Sequence, residues 1–272
     1  MPDIRVVVVD GADDPRVAGY RDIGDHDRLV AEGLFVAEGR LVVERIIDDR
    51  LPIRSLLLNR AALDALGPRL ERLGHDTTTF VCATEDFEAL TGYHIHRGCL
   101  ALVERPAPRL LDDLLVRAKS LIVLEDVGNA DNVGGIFRNA AAFGIGAVVL
   151  NHGCVDPLYR KAIRTSMAAT LRVPFATVPF PDLWEAALRR VRAAGFQLVA
   201  LTLRDDAVDL DEFAGLPRPG RLALLLGAEG PGLSADSEAI ADARVKIAVT
   251  SAVDSLNVAV AAGIALHRLR KQ

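Results

Sequence analysis

After Pro106 the chain is punctuated by near-continuous apolar runs, SLIVLEDV, AVVLNHG, FQLVALTL, RLALLLGAE and RVKIAV. A strand with one face in water alternates apolar and polar residues, so a run that is apolar throughout must be covered on both faces. Between these runs, NVGGIFRNAAAFG and DLWEAALRRVRAAG show helical periodicity, and each ends at a glycine, Gly144 and Gly195, suited to a helix C-cap. DPLYRKAIRTSMAAT predicts a further helix and PFATVPF a short strand. SLNVAVAAGIALHRLRKQ predicts a closing helix, in which Gly263 permits close approach of a neighbour. Buried strands alternating with helices predict an α/β fold on a mostly parallel sheet.

A second, smaller α/β layer is expected upstream. ERPAPRL holds two prolines in three residues and predicts an extended connection. It divides the chain into residues 1–105 and 106–272. In the first part FVAEGRLVVERIIDD has apolar residues at helical spacing. LPIRSLLLN, TTTFVCA and HRGCLALVERP read as strands, and AALDALGPRLERLG and EDFEALTG as helices.

Composition excludes several classes. Half of the 272 residues are hydrophobic and a quarter charged, the balance of a soluble globular protein long enough to bury its core without staples. Cys82, Cys99 and Cys154 lie far apart without metal-ligand spacing, which predicts reduced thiols in a cytoplasmic protein and no metal. The start, MPDIRVVVVDGADD, lacks the marks of a secretory signal, and no apolar run reaches membrane-spanning length. Net charge is -5, which is unusual for a nucleic-acid binder. The first 105 residues hold 13 Lys and Arg against 19 acids, and the remainder 19 against 18. Nucleic-acid binding would therefore need a local basic patch. Arg160, Lys161 and Arg164, with Arg172, form a candidate in a stretch with one acid, although the same charges also suit a solvated helix face.

The familiar nucleotide signatures are missing: no G-x-G-x-x-G after the first strand, no Walker A, no G-x-S-x-G and no H-E-x-x-H. In open α/β sheets ligands sit beyond the carboxyl ends of the strands. Three strand ends lead into polar or glycine-rich turns, EDVGNADN, GAEGPGLS and TSAVDSLN. GAEGPGLS, residues 227–234, has three glycines and a proline, so it exposes main-chain N–H and C=O groups or serves as a plain surface turn. Asn132 precedes a helix, where an asparagine commonly caps. Arg138 follows six residues later, about 240° round a helix, so the two do not share a face. Ser255 and Asn257 open the last helix, again positions that suit capping.

Taken together, NVGGIFRNAAAFG, LLLGAEGPGLS and VDSLNVAVAAGIAL closely resemble the three motifs of the SpoU/TrmH methyltransferase family in order and spacing. IRTSMAATLRVPF resembles the segment between the first two. The resemblance covers residues from about 120 to 270. Residues 1–105, with FVAEGRLVVERI, resemble the L30e-like substrate-binding domain that some members carry. One departure is GNAD before the first motif, which offers both Asn129 and Asn132; the six-residue step to Arg138 selects Asn132.

The resemblance implies a trefoil-knotted catalytic domain, a homodimer, and transfer of a methyl group from S-adenosyl-L-methionine to a ribose 2′-hydroxyl. The RNA implied is ribosomal, with transfer RNA as the alternative. It further implies that Leu201, Thr202, Gly227, Ala228, Glu229, Gly232, Ile247, Val249, Leu256 and Asn257 hold the cofactor. Arg138, Asn132, Glu229, Ser255 and Asn257 would form the catalytic group. A free guanidinium is effectively always protonated, so positioning suits Arg138 better than proton abstraction, which leaves Glu229 as the other group for proton handling. A non-catalytic RNA-binding or assembly factor is the reading from a different class. The presence of Arg138, Glu229 and Asn257 speaks against it.

Overall fold

A computed structural model describes residues 5–11, 13–73, 77–92, 98–217, 220–250 and 254–269. The first elements are β1 (Arg5–Val8), α1 (His26–Ala31), β2 (Leu34–Glu38), α2 (Arg40–Asp48), β3 (Ile53–Leu58), α3 (Arg60–Leu70), β4 (Thr78–Val81), α4 (Asp86–Thr91) and β5 (Cys99–Glu104). Next come α5 (Leu111–Arg117), β6 (Ser120–Leu124), α6 (Ala130–Ala142), β7 (Ala147–Asn151), α7 (Arg160–Thr165), β8 (Phe175–Val178) and α8 (Trp184–Ala193). The last are β9 (Gln197–Leu201), β10 (Val208–Asp209), α9 (Leu210–Gly215), β11 (Leu222–Leu226), α10 (Ala235–Ile240), β12 (Ala243–Lys246) and α11 (Val258–Leu269).

Two compact units result. One comprises Met1–Ala107 with Leu158–Ala168, the other Pro108–Pro157 with Ala169–Gln272. The first holds a sheet of order β1-β4-β3-β5-β2, parallel from β1 to β3 and antiparallel through β5 to β2. Its core includes Val17, Tyr20, Leu57, Phe87 and Leu100, and the buried Tyr20 hydroxyl meets the Ser55 hydroxyl at 2.8 Å. FVAEGRLVVERIIDD proves to be two elements rather than one helix. Leu34–Glu38 is a strand buried at every residue, and Gly39, at φ 96°, turns the chain into α2. Only glycine takes up that φ without strain. Part of the strand expected over HRGCLALVERP lies outside the described residues.

The second unit holds a seven-stranded sheet of order β10-β12-β9-β11-β6-β7-β8. Every pairing in it is parallel. The apolar runs form its middle: β6 and β11 are buried from their second residues onward. The helix expected over DPLYRKAIRTSMAAT is shorter, ending at Thr165, because Met167 and Ala168 adopt φ of 55° and 66°. No helix continues through two left-handed residues. The short β10, α9 and α10 were not expected from the sequence.

Helix α11 lies close against α6. A Cβ built on Gly135 would stand 2.8 Å from the Ala259 Cβ, and the Asn139 amide donates to the Ala259 carbonyl at 2.7 Å. Gly263 faces Asn139 in the same contact. At the opposite, amino edge of the sheet, the Arg221 guanidinium lies 4.0 Å over the Phe196 ring and donates to the carbonyls of Ala118, Ala194 and Leu115. Among the described residues no helix is long and apolar enough to cross a membrane, and no cluster of His, Cys, Asp and Glu suits a metal ion.

Candidate functional site

The carboxyl ends of β9, β11 and β12 open onto a cleft of about 640 Å³. The glycine loop after β11 forms one wall. Gly232 N–H donates to the Ala228 carbonyl at 3.1 Å, folding the loop back on itself. A Cβ on Gly227 would fall 2.3 Å from the Gly232 carbonyl carbon, so this turn closes only without a side chain there. Gly232 sits at φ 72°, in the left-handed region.

The loop is tied down at its far end by Glu125, which follows β6 and is 3% exposed. Its carboxylate accepts from the Ser234 N–H at 3.0 Å and from the Trp184 indole N–H at 3.1 Å. The Ser234 hydroxyl in turn caps α10 by accepting from Ser237 N–H at 3.2 Å. A buried carboxylate without such donors would carry a large desolvation cost. Beside it, the Asn151 amide donates to Asp126 at 2.8 Å, which holds together the turns after β6 and β7. The Cys154 thiol donates to the Leu124 carbonyl in the same turn, and burial pushes it up to about 12.

The expected site residues fall into three sets. Leu201, Thr202, Gly227, Ala228, Glu229, Gly232, Ile247, Val249, Ser255 and Leu256 line the cleft. Asn132 and Asn257 sit beside it and meet. The Asn257 amide donates to Asn132 Oδ1 and to Glu229 Oε1, both at 2.8 Å, while its own carbonyl oxygen accepts from the Ala259 and Val260 N–H groups. One side chain thus joins the three motifs and caps α11. Arg138 lies further along α6, exposed, with no hydrogen bond or ion pair among the described residues.

One placement differs from the sequence reading. Asn129, not Asn132, caps α6, accepting from Asp131 N–H at 2.8 Å; Asn132 is inside the first turn and 5% exposed. Arg160 and Arg164 both pair with Glu38, at 3.2 and 3.1 Å, within the first compact unit. Glu125, Trp184 and Glu238 were missed. Glu238 is 7% exposed, lines the cleft and accepts from the Thr202 hydroxyl at 2.6 Å. The only signal for Glu125 was its place directly after an apolar strand.

The cleft suits a nucleoside cofactor. It offers apolar walls at Leu201, Leu226, Ile247 and Leu256 and exposed main chain along Gly227–Gly232. The structure is similar to the crystal structure of an AdoMet-bound rRNA methyltransferase from Sinorhizobium meliloti, with a TM-score of 0.80. That match has 25% identity and covers 97% of each chain. The fold is that of an RNA methyltransferase, and the cofactor is S-adenosylmethionine.

Within that class the chain belongs to the SpoU rRNA Methylase family, whose sequence model matches residues 119–267. It is 38% identical to the uncharacterized tRNA/rRNA methyltransferase Mb0905 of Mycobacterium bovis, over 94% of this chain and 88% of that protein. It is 22% identical to the 23S rRNA (guanosine(2553)-2′-O)-methyltransferase RlmP of Bacillus subtilis, over 96% and 98% respectively.

Proposed function

We propose that this protein transfers the methyl group of S-adenosylmethionine to a ribose 2′-hydroxyl of ribosomal RNA. The observation that carries the reading is the Asn132–Asn257–Glu229 junction, which fixes three separated segments at the rim of a nucleoside-sized cleft. A name specifying 2′-O transfer on 23S rRNA, that of RlmP, supports the ribose and the class of RNA.

The cofactor would rest against Leu201, Thr202, Ile247 and Leu256 and the main chain of Gly227–Gly232, and it supplies an electrophilic methyl carbon. The attacking hydroxyl must be aligned with that carbon and must lose its proton. Alignment is the larger contribution, because fixing two reactants removes the entropic cost of their encounter. Arg138 holds the neighbouring phosphate through its planar fork and stabilises negative charge as it develops on the ribose oxygen. Among the described residues Asn257 binds one oxygen of Glu229, and the other receives the proton. Asn132 and Ser255 shape the rim. Residues 1–105, the L30e-like part, and the basic residues Arg160, Lys161 and Arg164 contribute RNA binding.

The active species is a homodimer formed by the knotted domain. Val260 and Ile264 support this, being 53% and 38% exposed on the apolar α11. Sedimentation should give a dimer at micromolar concentration; a monomeric mass with full activity would overturn the dimer as the active species.

The decisive experiment supplies labelled S-adenosylmethionine with unmodified ribosomal and transfer RNA, followed by digestion to nucleosides. Label on a ribose of ribosomal RNA is expected. Label on a transfer RNA ribose would move the substrate, and label on a base would overturn the ribose assignment.

A further inference from the structure

Just beyond β9 the cleft holds a second, separate constellation. Thr202 Oγ1 donates to Glu238 Oε1 at 2.6 Å, and Arg204 Nε donates to Glu238 Oε2 at 2.8 Å. Glu238 is nearly buried on α10, whereas the Arg204 side chain is 55% exposed. Both carboxylate oxygens are thus engaged, and Arg204 is held by Nε alone. Its terminal nitrogens have no partner among the described residues.

Charge identifies what those nitrogens meet. Arg204 is the only cation among the described lining residues, which also include the carboxylates Glu229, Glu238 and Asp254. S-adenosylmethionine is a sulfonium with an ammonium and a single carboxylate. A cleft with an excess of acids favours its cationic groups, and one guanidinium marks the place of its anion. The planar fork of a guanidinium pairs well with a carboxylate, and a guanidinium anchored through Nε presents its outer edge ready oriented.

Resting on the reading of the cleft as the cofactor site, we infer that Arg204 takes the carboxylate of S-adenosylmethionine and that Glu238 is the positioning residue that sets Arg204 and Thr202. A phosphate of the RNA is the competing anion. It is disfavoured because the guanidinium is anchored by a buried residue of the cleft, not by the protein surface.

Calorimetry on the full chain separates these cases, using S-adenosylhomocysteine and its analogue lacking the carboxylate. The unaltered protein should prefer the carboxylate-bearing ligand by at least about tenfold, as for a charge-assisted hydrogen bond. Arg204→Ala should abolish that preference by weakening only the carboxylate-bearing ligand, and Arg204→Lys should restore part of it. Glu238→Gln keeps an acceptor for Thr202 but loses one for Arg204 Nε, so the preference should become intermediate. A preference unchanged in Arg204→Ala overturns the inference. So does a loss confined to RNA binding, which would assign Arg204 to a phosphate. Ala228→Trp, which fills the cleft, should abolish binding of both ligands. Undiminished binding by that variant would instead overturn the cleft itself as the cofactor site.

Discussion

The Asn257 side-chain amide and the Glu229 carboxylate meet at 2.8 Å, although 28 residues separate them in the chain. The same amide reaches Asn132, 125 residues away. Replacing Asn257 by Ala should lower single-turnover methyl transfer by roughly ten- to a hundredfold, the scale of one or two lost hydrogen bonds to a charged group. Asn257→Asp should be worse, since it sets a second carboxylate against Glu229. Rates for Asp at or above those for Ala would show that the contact with Glu229 does not matter.

Arg138→Ala should abolish turnover while leaving S-adenosylhomocysteine affinity nearly unchanged, because Arg138 is exposed and does not line the cleft. The paired measurement is a methyl-transfer assay and calorimetry on one preparation. Near-normal turnover would remove Arg138 from the chemistry.

Gly135→Ala tests the contact between α6 and α11. In an isolated helix this change gains about 1 kcal/mol of propensity. Here the new methyl would lie 2.8 Å from the Ala259 Cβ, which has no flexible end to move aside. Overpacking of this kind costs about 1–3 kcal/mol, so the net effect should be destabilising. Thermal denaturation should show a lower Tm; a higher one would mean the helices separate freely.

The cysteines make stability fall at alkaline pH. Burial holds the thiols of Cys82, Cys99 and Cys154 at about 12, against 9.0 for an ordinary thiol. Between those values the native state keeps protons that the unfolded chain releases, so stability is lost as pH rises above about 9. Burial raises Tyr20 in the same direction. The same protonation should leave all three thiols unreactive toward a thiol reagent at pH 8 until the protein unfolds. Rapid labelling of the native protein, or a Tm flat to pH 11, would contradict this.

Legibility in the sequence followed the range of the interactions. The apolar runs β6, β7, β9 and β11 were visible because burial on both faces leaves a local mark at every position. The three motifs were visible because their glycines and asparagines serve backbone geometry nearby. What escaped depends on distant partners. Asn129 and Asn132 both suit a helix start, and only the contact with Asn257 shows that Asn132 is turned inward. Glu238 looked like any acid in a connecting segment; its burial goes with Thr202 and Arg204, some 34 to 36 residues earlier. The left-handed Met167 and Ala168 carry no glycine to announce the end of α7.

Sheet order also constrains how the molecule comes into being. The strand β11 lies between β9 and β6, yet β6 precedes it by about a hundred residues. While the chain is being synthesised, β6, β7 and β8 can assemble on one side, and β9 cannot join them until β11 has emerged. Until then β6 presents a bare, mostly apolar edge of the kind that recruits other chains. Non-local parallel pairing of this sort is slow to form. Yield during production should therefore depend on how quickly residues beyond Leu226 follow, so the order in which strands emerge sets how long that edge stays open.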